Sequence, residues 1–140
     1  MYRSWLFVPG DSEKKIAKSE QVDPDVVILD LEDAVAPSNK PAARAMVKDY
    51  LIATRGKRKS KLFVRVNPLT TPEALGDLAG VMAGAPDGII QPKAGSPEEV
   101  IQLGYYLDAL EVQNDLERGS TVILPVATEV PQAIFALGGY

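Results

Sequence analysis

Apolar runs with polar ends recur along this chain, and helical periodicity fills the intervals between them. The runs are SWLFVPGD (Ser4 to Asp11), VVILDLED (Val26 to Asp33), KLFVRVN (Lys61 to Asn67), GIIQPK (Gly88 to Lys93) and TVILPVATE (Thr121 to Glu129). A strand covered on both faces reads as a near-continuous Val/Ile/Leu run, which is the habit of parallel sheets. Helical patterns occupy Ser12 to Gln21, Pro41 to Thr54, Pro72 to Met82, Pro97 to Glu117 and a last stretch from Pro131. The strongest helix start is Ser96-Pro97-Glu98-Glu99, where Ser96 caps, Pro97 takes the first helical position and Glu99 completes a capping box. Strands alternating with helices in this way predict an α/β fold with a parallel sheet. The polar residues then gather at the C-terminal edge of that sheet, where α/β folds place their ligands.

Two architectures accommodate five such units. A doubly wound open sheet is complete at 140 residues and binds its ligand at a switch point. A (β/α)8 barrel takes about 250 residues, so this chain would supply a little over half of one. The final helical pattern, PQAIFALGGY, has nothing after it to cover its apolar face. Periodicity alone does not separate the two. Residues 1–140 contain no internal repeat beyond the βα unit and no linker, which predicts a single domain or part of one.

Composition narrows the chemistry. There is no cysteine and no histidine, which removes disulfides, thiolate nucleophiles, Cys-ligated zinc and the commonest general base. Catalysis would have to use carboxylates, Lys, Arg, Tyr or a hard metal. A net charge of −4 argues against nucleic acid as a partner. The one basic run, Arg55 to Lys61, lies between a helix and a strand and reads as a solvated loop, with a phosphate contact as the lesser alternative. No apolar run approaches the roughly 20 residues of a membrane helix. Met1 leads straight into a strand with no signal-peptide pattern, so the cytoplasm is the expected compartment.

Strand alternation sets Asp30 with Glu32, Arg65 with Asn67, and Gln91 with Lys93 on common faces, and Glu129 closes the fifth run. Convergence of these groups would form one pocket, and carboxylates without His or Cys suit an ion such as Mg²⁺. Each group also has a plainer reading. Asp30, Glu32 and Asp33 fit a turn-capping cluster; Arg65 fits a structural ion pair with Asp30 or Glu32; Lys93 fits a solvated loop; Glu129 fits a helix N-terminus. Complementary groups on every strand end favour a site. Neither GxGxxG nor GxxxxGK[ST] occurs, which disfavours a dinucleotide site or a P-loop, although the Pro9-Gly10-Asp11-Ser12 turn presents backbone N–H groups at a helix start.

The stretches RSWLFVPGDSEKKIAKS, DVVILDLEDAVAPSNKPAAR, VRVNPLTT, GIIQPKAGSPEEV and TVILPVATEVPQAIFAL, in this order, resemble the citrate lyase beta-subunit-like proteins of the HpcH/HpaI aldolase superfamily. The resemblance covers nearly the whole chain. It implies a (β/α)8 TIM barrel, with residues 1–140 as the N-terminal part of a single barrel domain. It implies Mg²⁺-dependent carbon–carbon cleavage or formation in short 3-hydroxyacyl-CoA thioesters of the malyl, citramalyl or citryl type, giving an acyl-CoA and a 2-oxo acid. By the same resemblance Glu129 matches a metal ligand and Arg65 the arginine that contacts the thioester. Asp30, Glu32 and Asp33 match the acidic block around the metal and its waters, while Lys93 and Lys18 match basic pocket positions. A class I route through a Lys93 imine is the rival mechanism. The family's second metal ligand would fall beyond Tyr140, so the expectation is a fragment or a partial chain. A homo-oligomer, a trimer by analogy, is also implied. The alternative is a non-catalytic barrel fragment or subunit that only binds or assembles with another chain.

Overall fold

The computed structural model describes residues 1–140. The apolar runs form β1 (Trp5–Pro9), β2 (Val26–Asp30), β3 (Lys61–Arg65), β4 (Gly88–Gln91) and β5 (Val122–Pro125). Between and after them lie α1 (Glu13–Val22), α2 (Lys40–Thr54), α3 (Ala74–Met82), α4 (Pro97–Gln113) and the short α5 (Pro131–Ile134). A 3₁₀ turn over Pro37–Asn39 leads into α2, and another over Leu137–Gly139 follows α5.

All neighbouring strands pair in parallel, in the order β1-β2-β3-β4-β5. This order resolves the two architectures left open by periodicity. A doubly wound sheet must reverse direction at a switch point, and here each crossover steps one strand onward in the same sense. Right-handed crossovers that never reverse put every helix on the same face. That is the arrangement of a β/α barrel wall.

The two faces of the sheet are unlike. On the helix side Val27, Leu29, Leu62, Val64 and Ile89 pack with Val47, Leu51, Leu78, Val81 and Leu103 in one buried cluster. Each fully buried aliphatic side chain there contributes roughly 1.5–3 kcal/mol relative to exposure. The opposite face has a smaller cluster of Val26, Ile28, Phe63 and Ile90. Gly88 makes room for it: a Cβ there would lie 2.5 Å from the Phe63 ring. On the outer strands this face is open, with Phe7 52% and Val122 53% exposed. The expectation of strands covered on both faces therefore holds for the central strands and not for β1 and β5.

Helix ends depart from the sequence pattern in instructive ways. The Ser96 hydroxyl does not cap α4, and its proximity holds the Glu98 carboxyl below its ordinary value. Glu99 instead accepts from the Gly95 N–H at 3.0 Å. The same helix stops at Gln113, short of Glu117, because Asp115 adopts a left-handed conformation and Leu116 N–H bonds back to the Glu111 carbonyl. Glu111 itself is buried and accepts from the N–H groups of Gly119 and Thr121, which steers the chain into β5.

The basic run is not uniformly solvated. Arg58 donates to the carbonyls of Leu51, Gly84 and Ala85 at 2.6–2.8 Å and pairs with Asp87, so it closes the C-terminal ends of α2 and α3 together. Replacing it strands several carbonyls that water does not fully reach. Arg58→Met is expected to cost about 2–4 kcal/mol of stability, whereas Lys57→Ala and Lys59→Ala should change it by less than about 0.5 kcal/mol. Urea denaturation midpoints of the three variants check this.

Candidate active site

Register places the central pair. Asp30, the last residue of β2, lies opposite Pro9 on one side and Arg65 on the other. Gly10 lets β1 end close against this point: its N–H donates to the Asp30 carbonyl at 2.8 Å, and a Cβ there would stand 2.7 Å from that oxygen. The backbone N–H groups of the Pro9 to Ser12 turn are thus partly spent, that of Gly10 on the sheet and that of Ser12 on the Pro9 carbonyl within the turn.

The Asp30 carboxylate is saturated. Oδ1 accepts from Arg65 Nε at 2.8 Å and from the Glu32 N–H at 2.9 Å. Oδ2 accepts from Arg65 Nη2 at 2.7 Å and from the Ala34 N–H at 3.1 Å. Burial opposes ionisation of Asp30, but the Arg65 hydrogen bonds and the two backbone donors outweigh it and hold the carboxyl below its ordinary value. Arg65 shifts upward in turn, chiefly through its hydrogen bonds to Asp30. Its guanidinium also lies over the Phe7 ring, 4.8 Å from the centroid. The ion-pair reading of Arg65 is the one observed, and Asp30 acts as its holder.

Glu32 extends the row of charges. It is 4% exposed; Oε2 faces Arg65 Nη1 at 3.3 Å, and Oε1 pairs with Lys93 Nζ. Oε2 is a buried oxygen without a hydrogen-bond donor. Lys93 Nζ also lies 3.5 Å from the exposed Asp33. The Lys93 backbone is left-handed, with φ at 51°, a conformation that costs a non-glycine residue about 1–2 kcal/mol. Its N–H donates to Glu129 Oε2 at 2.7 Å, which helps fix that geometry. Lys93 is shifted upward, first by its hydrogen bond to Glu32, so its amine stays protonated.

Glu129 sits in the turn after β5 and does not cap α5, whose cap position is Val130 and carries no side-chain hydrogen bond. Asp30, Arg65, Glu32, Lys93, Asp33 and Glu129 therefore form one continuous cluster over the ends of β2 to β5. Two cations face four carboxylates, which leaves a negative excess.

Other sequence-predicted residues fall elsewhere. Asn67 shares strand parity with Arg65, but β3 ends at Arg65, and the Asn67 side chain turns toward the helices. There it donates to the Leu31 carbonyl and to Asp77, and accepts from Lys40. Gln91 has the parity of Ile89, a member of the helix-side core, and its buried amide has no partner. It does not join Lys93, because the left-handed turn at Lys93 breaks the alternation. Lys18 lies on α1 in a groove with Phe7, Val8 and Pro9, beside β1.

Pattern reading passed over Lys40, Arg44 and Asp77. Arg44 Nε meets the fully buried Asp77 at 2.9 Å, and Asp77 accepts the Asn67 N–H. The available signals were one acid inside the apolar stretch ALGDLAGVM and two cations one helical turn apart in KPAAR.

A family model, HpcH/HpaI aldolase/citrate lyase, matches residues 3–137. The chain belongs to this family. It is 36% identical over 132 residues to the citrate lyase subunit beta of Haemophilus influenzae, covering 94% of this chain and 45% of that protein. It is 34% identical over 99 residues to a (3S)-malyl-CoA thioesterase of Cereibacter sphaeroides, covering 71% and 34% respectively. Among solved structures, the citrate lyase beta subunit of Mycobacterium tuberculosis complexed with oxaloacetate and magnesium aligns with a TM-score of 0.62 and 32% identity over 97% of this chain and 61% of that one. A Haloferax volcanii malate synthase aligns with a TM-score of 0.86 at 18% identity, over 99% of this chain and 42% of that one, a likeness of fold. The chain spans less than half the length of these curated relatives.

The depressed Asp30 carboxyl links the site to pH. A carboxyl lowered on folding stabilises the protein above its unfolded pKa, near 3.9, and that contribution is lost as pH falls through the folded value. Asp30→Asn leaves Arg65 poorly neutralised and is expected to cost about 3–5 kcal/mol at neutral pH. The gap between variant and parent should begin to narrow as pH falls below about 4, where the carboxyl of the unfolded parent protonates first, and by no more than about 1 kcal/mol at pH 3. Urea midpoints measured from pH 7 down to pH 3 test both parts.

Proposed function

We propose that the protein is a carbon–carbon lyase of short 3-hydroxyacyl-CoA thioesters, releasing an acyl-CoA and a 2-oxo acid with Mg²⁺ as cofactor. The observation that carries this reading is Arg65, a cation fixed at a strand end by a saturated carboxylate. Cleavage moves the electrons of the breaking bond onto the thioester oxygen as an enolate, and a preorganised guanidinium is suited to meet that charge. Asp30, engaged by four donors, holds Arg65 and is not free to take a proton. Glu32 Oε2, which accepts no hydrogen bond although Arg65 Nη1 stands 3.3 Å away, is the candidate acceptor for the proton of the 3-hydroxyl, and that proton then returns to the enolate carbon to complete the acyl-CoA.

The fit to Mg²⁺ rests on the donor set. The cluster offers only hard oxygen ligands and an excess of negative charge, and Mg²⁺ typically takes one or two carboxylates with waters and substrate oxygens. No three acidic, His or Cys side chains form an all-protein cage. Glu129 would hold the ion directly and Asp33 through water, with a further protein ligand contributed from outside this chain segment. When bound, the metal would supply Lewis acidity and orient the carboxylate of the oxo acid. The M. tuberculosis relative, complexed with oxaloacetate and magnesium, supports this choice.

Lys93 suits charge balance better than covalent catalysis. An imine-forming lysine needs a lowered pKa, and Lys93 is raised. Lys18 and Asn67 would affect substrate binding only indirectly from where they lie. We place the reaction in the cytoplasm; no helix is long and apolar enough to cross a membrane. Residues 1–140 would be the N-terminal part of a single barrel domain, in a homo-oligomer by family analogy.

The solvent-open inner faces of β1 and β5 favour a second reading, a barrel segment that assembles with another chain and does not turn over. Turnover separates the two. With malyl-, citramalyl- and citryl-CoA and Mg²⁺, a lyase releases the 2-oxo acid; Arg65→Ala should then lower kcat/KM by about 10²–10³-fold, and Glu129→Gln should raise the Mg²⁺ concentration needed. Binding without release in every case would select the assembly reading. Borohydride added with a 2-oxo acid should leave the intact mass unchanged, and a reduced adduct on Lys93 would reinstate the imine route.

A further inference from the structure

The turn that carries Glu32 and Asp33 is fixed from two sides, and only one belongs to the charged cluster. Its N–H groups are taken by the Asp30 carboxylate. Its carbonyls are taken by Lys40, at the start of α2: Nζ donates to the Leu31 oxygen at 3.0 Å and to the Glu32 oxygen at 3.1 Å. The remaining ammonium hydrogen goes to Asn67 Oδ1 at 2.5 Å. An ammonium has three donors, and here all go to neutral oxygens. Lys40 forms no ion pair although the chain is rich in acids. Its position is therefore explained by the shape of the turn rather than by charge neutralisation.

Behind Lys40 the contact is anchored. Asn67 Nδ2 donates to the Leu31 carbonyl at 3.0 Å and to Asp77 at 2.7 Å, and Asp77 is clamped by Arg44 from α2. The peptide between Leu31 and Glu32 is thereby tied to α2, α3 and the end of β3, while Leu31 N–H donates to the Arg65 carbonyl. Glu32 has little freedom of its own, since its backbone is held at both N–H and C=O.

We propose that Lys40 is a positioning residue for the active site: through the carbonyls of Leu31 and Glu32 it sets where the Glu32 carboxylate stands relative to Arg65 and Lys93, with Asn67, Asp77 and Arg44 holding Lys40 in turn. This inference rests on the lyase reading for its catalytic consequence, and not for its structural part. A misplacement of about 1 Å at a reacting group costs about 10²-fold in rate, so loss of Lys40 acts on kcat without removing any group that touches substrate.

The absence of cysteine permits a clean test. Lys40→Cys introduces a unique thiol, and alkylation with 2-bromoethylamine rebuilds an ammonium at nearly the original reach. Two readouts are followed: amide hydrogen exchange of Glu32, Ala34 and Val35, with Ile28 in β2 as internal reference, and kcat and KM for thioester cleavage. The expected result for Lys40→Cys, relative to the parent, is exchange accelerated about tenfold or more in the turn with Ile28 unchanged within about twofold, and kcat lower by about 10²-fold with KM within about twofold. Both should return on aminoethylation. Unchanged turn exchange, equal acceleration at Ile28, or failure of the rebuilt ammonium to restore the turn would each overturn the positioning role. If the parent protein cleaves no thioester, the lyase reading fails by itself, and the exchange measurements still decide whether Lys40 holds the turn.

Discussion

The paired charges of Asp30 and Arg65 are the constraint around which the sheet edge is arranged. The two residues are in-register neighbours on adjacent parallel strands, so their side chains leave the sheet side by side. Neither would be stable there alone. A nearly buried carboxylate costs several kcal/mol unless it is paired and fully hydrogen-bonded, and the two-pronged contact with the guanidinium meets that condition. The turn after β2 supplies the remaining donors, which is why it folds back over the pair instead of running outward. Phe7 covers the guanidinium from β1. A stable strand pairing and a fixed cation thus arise from the same contact.

Lys93 and Glu129 extend this arrangement across β4 and β5, with a difference in rigidity. Asp30 is 1% exposed and Asp33 far more open, so charge becomes progressively more solvated from the sheet toward the rim. Fixed groups that stabilise developing charge belong at the dry end, because electrostatic contacts are stronger where water is excluded. Glu129 and Asp33 lie at the wet end, where the proposed metal would be free to exchange waters and substrate oxygens.

The sequence carried the element order, the parallel sheet and the common face of Asp30 and Glu32, because period-two and helical patterns record burial directly. Periodicity left the architecture open, since no local pattern encodes whether strand order reverses, and the barrel came from the family resemblance instead. Alternation also misled just past the strand ends. Parity sets Asn67 with Arg65 and Gln91 with Lys93, but parity holds only while the chain remains extended; β3 stops at Arg65, and Lys93 turns left-handed. Arg58 and Lys40 show a second limit. Both bind backbone carbonyls, and carbonyl acceptors leave no mark in the residue types that a sequence displays.

The unbroken strand order also has a consequence for how the site comes together. Every strand pairs with its sequence neighbours, so each added βα unit closes a loop of similar modest length, and loop-closure cost rises only slowly with length. Folding can then advance by accretion of adjacent units, a regime of low sequence separation that favours speed. Docking of the third strand brings Arg65 to Asp30, before the segments bearing Lys93 and Glu129 have been placed. On this order the cation is installed first, and the carboxylate-rich rim is added to a centre whose charge is already balanced.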